Sequence, residues 1–336
     1  MSTSGDGRRV AVIGALSFFG QRLLGILRGD PRYKHLLGLD VRRPGPGAVE
    51  VRYEHIDLTE PAADVVLAGM LEREAIDTVV HLAYLSRPVH QQAWAHELES
   101  IGTMYMLNAC ARARVPHVVA LSTTMCYGAH PQNPQLLGEE RPLLGAQRSR
   151  WVSDKVDAEQ QLASHAQNCD GTTVTVLRMA PTLGSSIDNY WTRILRRPVV
   201  HTLLGFDPPM QFLHEDDAAH ALQLAVEKVP GGAFNIVPDD VLTLGQAVER
   251  LHARAVPLPL PLANAILGAL WTAQVNMTPP GFLDYLRYVW LGDGHRAREV
   301  LGFRPGHRSR ETIDDFARGS RGRPHTSGED GVGLTT

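Results

Sequence analysis

The chain holds 336 residues, 43% hydrophobic and 21% charged, with a formal net charge of −3. That length suits one large or two modest domains, and near-neutral charge with ordinary apolar content excludes a chain that is disordered as a whole. The three cysteines, Cys110, Cys126 and Cys169, cannot build a disulfide framework, so a reducing, cytoplasmic setting is the expectation. The balanced charge offers no electrostatic footprint for nucleic acid. Residues 1–9 lack the apolar core of a signal peptide, and no window stays strongly apolar over the ~18 residues a spanning helix needs.

Both ends, residues 1–7 and 319–336, are rich in Gly, Ser and charge and read as loose tails. Between them, short aliphatic or β-branched runs bounded by turn formers predict strands at 9–14, 36–40, 49–57, 78–82, 117–122, 173–178 and 233–237. Helical periodicity predicts helices over 19–28, 61–73, 94–114, 153–166 and 216–226. Such alternation demands a parallel sheet with helices on both faces, an α/β doubly wound fold of Rossmann type. The strand signal thins near residue 180. A nucleotide-binding domain over 8–180 is therefore expected, with a smaller substrate-binding lobe over 181–318 that returns some segments to the sheet. From Ala255 to Leu283 no residue is charged. Residues 262–275 read as one helix, too short at about 21 Å to span a bilayer core of about 30 Å. A buried helix of the second lobe, or a cover over the substrate pocket, is the expectation. Weak interfacial contact with a membrane, or an apolar substrate channel, is the sharper alternative.

The run Val10-Ala11-Val12-Ile13 leads into Gly14-Ala15-Leu16-Ser17-Phe18-Phe19-Gly20 and then into a helical pattern. This is a G-x-x-G-x-x-G turn with Ser17 at the middle glycine, a turn that aims backbone N–H groups and a helix N-terminus at a pyrophosphate. Gly14 allows the tight turn, Gly20 allows close helix–strand contact, and the Ser17 hydroxyl is a candidate donor beside Phe18 and Phe19. Asp40 closes the second run, 20 residues beyond Gly20, the spacing at which a carboxylate accepts from the ribose hydroxyls. A carboxylate repels a 2′-phosphate, so NAD is expected over NADP, with Arg42 and Arg43 pulling the other way. Asp57 and Leu58 end the third run, where a short acid can meet the adenine amino group. The bland alternative is that Asp40 and Asp57 only end strands or cap helices.

In the order and spacing of its landmarks, the chain resembles the extended short-chain dehydrogenase/reductase family of nucleotide-sugar epimerases and dehydratases, over roughly residues 8–310. The landmarks are the Gly14 to Gly20 turn, Asp40, Asp57-Leu58, Val80-His81-Leu82-Ala83, Ile101-Gly102-Thr103, Ser122-Thr123-Thr124-Met125-Cys126-Tyr127-Gly128, Lys155, Leu177-Arg178 and Gln211-Phe212-Leu213-His214-Glu215-Asp216-Asp217. The last of these, and Tyr127-Gly128-Ala129-His130-Pro131, are most similar to a bacterial subgroup of UDP-glucose 4-epimerase-like proteins, not all of which keep the full catalytic set. The resemblance implies a nicotinamide cofactor that also meets Leu82, Ala83 and Lys155, a small-molecule substrate, and a homodimer formed through helices near 94–114 and 151–166. It further implies a hydroxyl that orients the substrate oxygen, a tyrosine that passes the proton, a lysine on the nicotinamide ribose, and an asparagine. Thr123 takes the place of the hydroxyl and Lys155 that of the lysine. Trp151 stands where the tyrosine belongs, and Glu99 stands at the asparagine.

An indole N–H donates but does not titrate in water, so the usual relay cannot run through residue 151. Tyr84 and Glu99 are the first candidates for a replacement acid or base, followed by His130 and Cys126. Tyr84, Thr124, Arg178 and Arg193 are candidate substrate contacts. Arg178 would clamp phosphate, and Arg193 would act within a basic cluster with Arg196 and Arg197. His214 reads as a helix cap or a lobe contact, and no ligand spacing points to a metal. Three functions stay open: an NAD-binding oxidoreductase acting on a nucleotide sugar or related hydroxy or keto substrate, a non-catalytic NAD-binding regulatory protein, and a hydroxysteroid or lipid-type dehydrogenase.

Overall fold

The computed structural model describes residues 7–146 and 148–320, so the loose tails expected at 1–7 and 319–336 lie almost wholly outside the described residues. Six strands come first: β1 (Arg8–Ile13), β2 (Tyr33–Asp40), β3 (Arg52–His55), β4 (Thr78–His81), β5 (His117–Thr123) and β6 (Thr173–Met179). Four short strands follow: β7 (Thr182–Leu183), β8 (Val199–Leu203), β9 (Pro209–Met210) and β10 (Leu213–His214). β11 (Gly232–Ile236) then returns to the main sheet, and β12 (Leu242–Thr243) and β13 (Arg254–Leu258) close the set. The main sheet runs β11-β6-β5-β4-β1-β2-β3, with every pair parallel. The short strands pair off as β7 with β10, β8 with β13, and β9 with β12.

Helices α1 (Phe18–Arg28), α2 (Ala63–Arg73), α3 (Gln92–His96), α4 (Gly102–Arg112), α5 (Arg150–Asn168) and α7 (Glu215–Lys228) accompany the main sheet, with the short α6 (Tyr190–Leu195) between the last two. Then come α8 (Leu244–Arg250), α9 (Leu260–Thr272) and α10 (Ser309–Ser320). Alternation along β1 shows why both faces are covered. Val10 and Val12 pack with Leu23, Leu24 and Leu27 of α1 and Leu222 of α7. Ala11 and Ile13 point the other way, into Leu67 and Leu71 of α2 and Met106 of α4. A strand's period of two divides its apolar residues between the faces, and each aliphatic side chain buried this way contributes about 1.5–3 kcal/mol.

Three expectations change. The strand read over 49–57 shrinks to β3, because Val51 N donates to Val49 O at 2.9 Å and makes a turn. The single helix read over 94–114 is α3 and α4 joined by a π-turn, Glu97–Ile101, which carries Glu99 fully buried. The uncharged helix is not buried. In α9 only Ala263 is enclosed, packed near Leu203 and Leu283, while Leu262, Ile266 and Leu270 are 48%, 40% and 36% exposed. Among the described residues, no helix is long and apolar enough to cross a membrane.

Candidate active site

Strand order reverses between β1 and β4, and a crevice opens there above the C-terminal strand ends. Gly14 leaves β1 at φ +79°, and a Cβ on it would lie 2.8 Å from Ala83 N, just past β4. A Cβ on Gly20 would lie 2.4 Å from Gly14 O, so the turn closes only with hydrogen at both positions. The Ser17 hydroxyl does not face the crevice as a donor. It is fully buried and accepts from Gly20 N at 3.0 Å, capping α1. No acid stands in the first turn of α1, so its positive end is not offset by a neighbouring side chain.

Asp40 and Asp57 serve the backbone and the crevice together. Asp40 accepts from Leu16 N at 2.8 Å on one oxygen, and from Arg42 N at 2.9 Å and Arg42 Nε at 3.2 Å on the other. Asp57 accepts from Thr59 N at 2.9 Å and Thr59 Oγ1 at 2.7 Å, ending its strand in an Asx turn. Both line a cleft with Gly14, Arg42, Leu58 and Ala83, closed on one side by Trp94 and Leu98. Leu82 is buried in the core and reaches the crevice only as backbone, its N–H donating to Ile13 O at 2.9 Å. Phe18 lies beneath the Arg22 guanidinium at 5.2 Å and lines neither this cleft nor the cavity beyond, whereas Phe19 lines the latter.

That second cavity is walled by Thr123 at the end of β5, by Tyr84, and by one face of α5 carrying Trp151, Lys155, Glu159 and Leu162. The Lys155 ammonium, 8% exposed, donates to Glu99 Oε1 at 2.6 Å and to Leu85 O at 3.1 Å. It sits 4.7 Å from the Trp151 ring centre and 5.3 Å from that of Tyr84. Glu99 also accepts from Leu85 N at 2.7 Å. Its burial raises the carboxyl above the usual range, against the pull of Lys155. Trp151 lines the cavity, but its indole N–H is committed to Leu85 O at 3.0 Å, so it does not reach for a substrate oxygen. Tyr84 presents a ring face rather than a phenol: its Oη is buried, and burial pushes it well above the usual phenol range. Neither Tyr84 nor Glu99 offers an open acid or base.

The expected phosphate clamps are spent elsewhere. Arg178 is buried. It holds Glu159 at 2.5 Å and Tyr127 Oη at 2.7 Å, and Tyr127 in turn donates to Asn235 Oδ1 at 2.8 Å. Arg193 faces outward and chelates Asp188 at 2.6–3.0 Å. Thr124 is buried and lines neither cavity. Cys126 is fully buried, its thiol pushed up to about 12 by burial, and His130 belongs to a separate surface hollow with Arg287 and Tyr288. His214 caps α7 and stacks on His307 at 3.9 Å, as a cap or contact residue should. Among the described residues, His96, Asp154 and Asp157 bring ligand atoms within 4.8 Å of one another. His96 and Asp154 already form a 2.8 Å pair.

Sequence reasoning passed over Glu159, although its signal was legible: positions 151, 155, 159 and 162 recur at helical spacing on one face of α5. It also passed over Ile187, Tyr190 and Trp191, which no pattern marks and which only the return of the chain after β7 brings to the cavity.

A glycine-turn Rossmann crevice beside a lysine-bearing helix is the frame of an extended short-chain dehydrogenase/reductase. A family model described as the NAD dependent epimerase/dehydratase family matches residues 10–237, and the chain belongs to that family. An uncharacterized protein of Mycobacterium tuberculosis is 30% identical over 322 residues, covering 92% of this chain and 83% of that protein. A 3-diazoavenalumate denitrifying reductase of a Streptomyces species is 28% identical over 327 residues, covering 90% and 97%. The structure of a Thermus thermophilus UDP-glucose 4-epimerase in complex with NAD superposes with a TM-score of 0.71 at 19% identity, covering 94% and 99%.

Proposed function

We propose that this chain is an NAD-dependent oxidoreductase that reduces a keto or similarly electrophilic group at the wall formed by Thr123, Trp151 and Lys155. The residues suit the dinucleotide. The Gly14 turn and the uncovered α1 terminus suit a pyrophosphate, and Asp40 and Asp57 line the cleft an adenosine would fill. When bound, the cofactor supplies the hydride. One observation supports the reductive direction: the carboxylates at and behind the cavity are both held by cations, whereas the Lys155 ammonium has a third N–H beyond those it gives to Glu99 and Leu85 O. Both Glu99 and Glu159 are committed, the first to Lys155 and Leu85 N, the second to Arg178 and the Ser122 hydroxyl at 2.6 Å. The Lys155 ammonium remains. It would give a proton to a substrate oxygen that Thr123 orients, and would regain one from solvent. Epimerisation, which must first remove a hydroxyl proton, lacks its phenol here. The Streptomyces relative named as a reductase supports the reductive direction.

The carboxylate of Asp40 supports NAD over NADP, although Arg42 lies against it. Energy transfer from tryptophan to NADH tests the cofactor. Saturable transfer is expected, and none at millimolar NADH defeats the proposal. Lys155→Met is expected to lower kcat for keto reduction by about 10²–10⁴-fold while leaving the NADH affinity within a few-fold. Saturable NADH binding without turnover on any keto compound would favour a regulatory protein instead.

A further inference from the structure

We infer that the substrate is an uncharged, ring-bearing apolar ketone and not a sugar carried on a nucleoside diphosphate; this rests on the reading above and names the substrate class of the same site. The cavity and the open solvent at its mouth together hold about 860 Å³ of empty space, part of which the nicotinamide end of the cofactor would take. Its walls beyond Lys155 are mostly apolar and aromatic, with Met125, Trp151, Met179, Ile187, Tyr190 and Trp191, and Ser86, Thr182 and Asn189 add polar groups there. The aromatic members brace one another. Trp151 and Tyr190 each pack on Phe282, at 5.7 Å and 4.5 Å between ring centres, and Tyr190 meets Trp191 edge-on at 5.4 Å. Such a wall offers π faces and large contact area to a flat, hydrophobic ligand.

The charges point the same way. A diphosphate brings at least two negative charges, which protein sites meet with uncommitted cations. Among the described residues lining the cavity, Lys155 is the only cation, and Glu99 already neutralises it at 2.6 Å. The same lining holds a carboxylate, Glu159. Arg178, behind that wall, is bound to Glu159, and Arg193 is bound to Asp188. A nucleoside diphosphate would therefore enter a low-dielectric cavity whose charges are already paired, with no free counter-charge among its described lining. An uncharged ketone meets no such penalty. It needs one hydrogen-bond donor at its oxygen, which Lys155 or Thr123 supplies.

The test is isothermal titration of the full chain with 2-tetralone and with UDP-glucose, each run with and without saturating NADH. NADH binding is measured separately by energy transfer. The expected result is that 2-tetralone binds at least about tenfold more tightly than UDP-glucose, with little dependence on salt, and that it consumes NADH. Equal or tighter binding of UDP-glucose overturns the inference, and so does binding of neither compound. Failure of NADH to bind defeats the oxidoreductase reading alone, because the comparison of the two ligands without NADH still decides the substrate class.

Discussion

Glu99 and Lys155 explain each other. Each is a buried charge, and each would be costly alone. Together with the Leu85 backbone they form a closed unit under the Trp151 indole. Replacing Glu99 with alanine leaves an ammonium that is 8% exposed without its carboxylate. A loss of about 3–5 kcal/mol in unfolding free energy is expected, read from denaturant melts. His81 is the second telling residue. It is fully buried, holds Thr103 Oγ1 at 3.2 Å, stacks near Tyr84 at 4.6 Å, and its pKa falls to about 3 through burial. The unfolded chain takes that proton near the ordinary value of 6.5, and the folded chain only near 3. Stability therefore falls as pH drops between those values, by roughly 1.4 kcal/mol per unit at most. Melting temperatures of wild type and His81→Leu, followed downward from neutral pH, should converge as the solution acidifies. Parallel curves would contradict this.

At the scale of elements, the turn between β1 and α1 divides its labour. Gly20 is a steric requirement, because a methyl there meets Gly14 O at 2.4 Å and Ala15 O at 2.6 Å, both backbone atoms that cannot swing away. Gly20→Ala is expected to cost about 1–3 kcal/mol and to weaken NADH binding more than tenfold, measured by thermal melts and by energy transfer. Ser17 is a cap. Ser17→Ala should cost only about 1 kcal/mol and leave NADH affinity within a few-fold, since its hydroxyl is fully buried and lines neither cavity. A large loss of affinity in Ser17→Ala would return the hydroxyl to the pyrophosphate. The π-turn between α3 and α4 is the other decisive element. It sets Glu99 inward onto Lys155, where an available acid or base was expected.

Across the whole molecule, the main sheet and the later chain are tied by a buried polar path. Glu159 of α5, Arg178 of β6, Tyr127 beyond β5 and Asn235 of β11 form one hydrogen-bonded line behind the cavity. Arg178→Ala would strand Glu159 and Tyr127 in the interior, and a loss of about 3–5 kcal/mol is expected, measured by denaturant unfolding; a loss under about 1 kcal/mol would mean that water replaces the guanidinium. The sequence by itself determined the parallel sheet, the glycine turn and the place of Asp40 at the end of its strand. Each of these rests on local spacing: alternating apolar runs, turn residues at fixed offsets, and a helical period. The partners of the charges were decided only by the tertiary structure. Arg178 read as a phosphate clamp and Glu99 as an available acid or base because pairing across 19 to 56 positions leaves no local trace. The apolar wall of Ile187, Tyr190 and Trp191 is of the same kind, assembled by long-range packing that no periodicity in those segments announces.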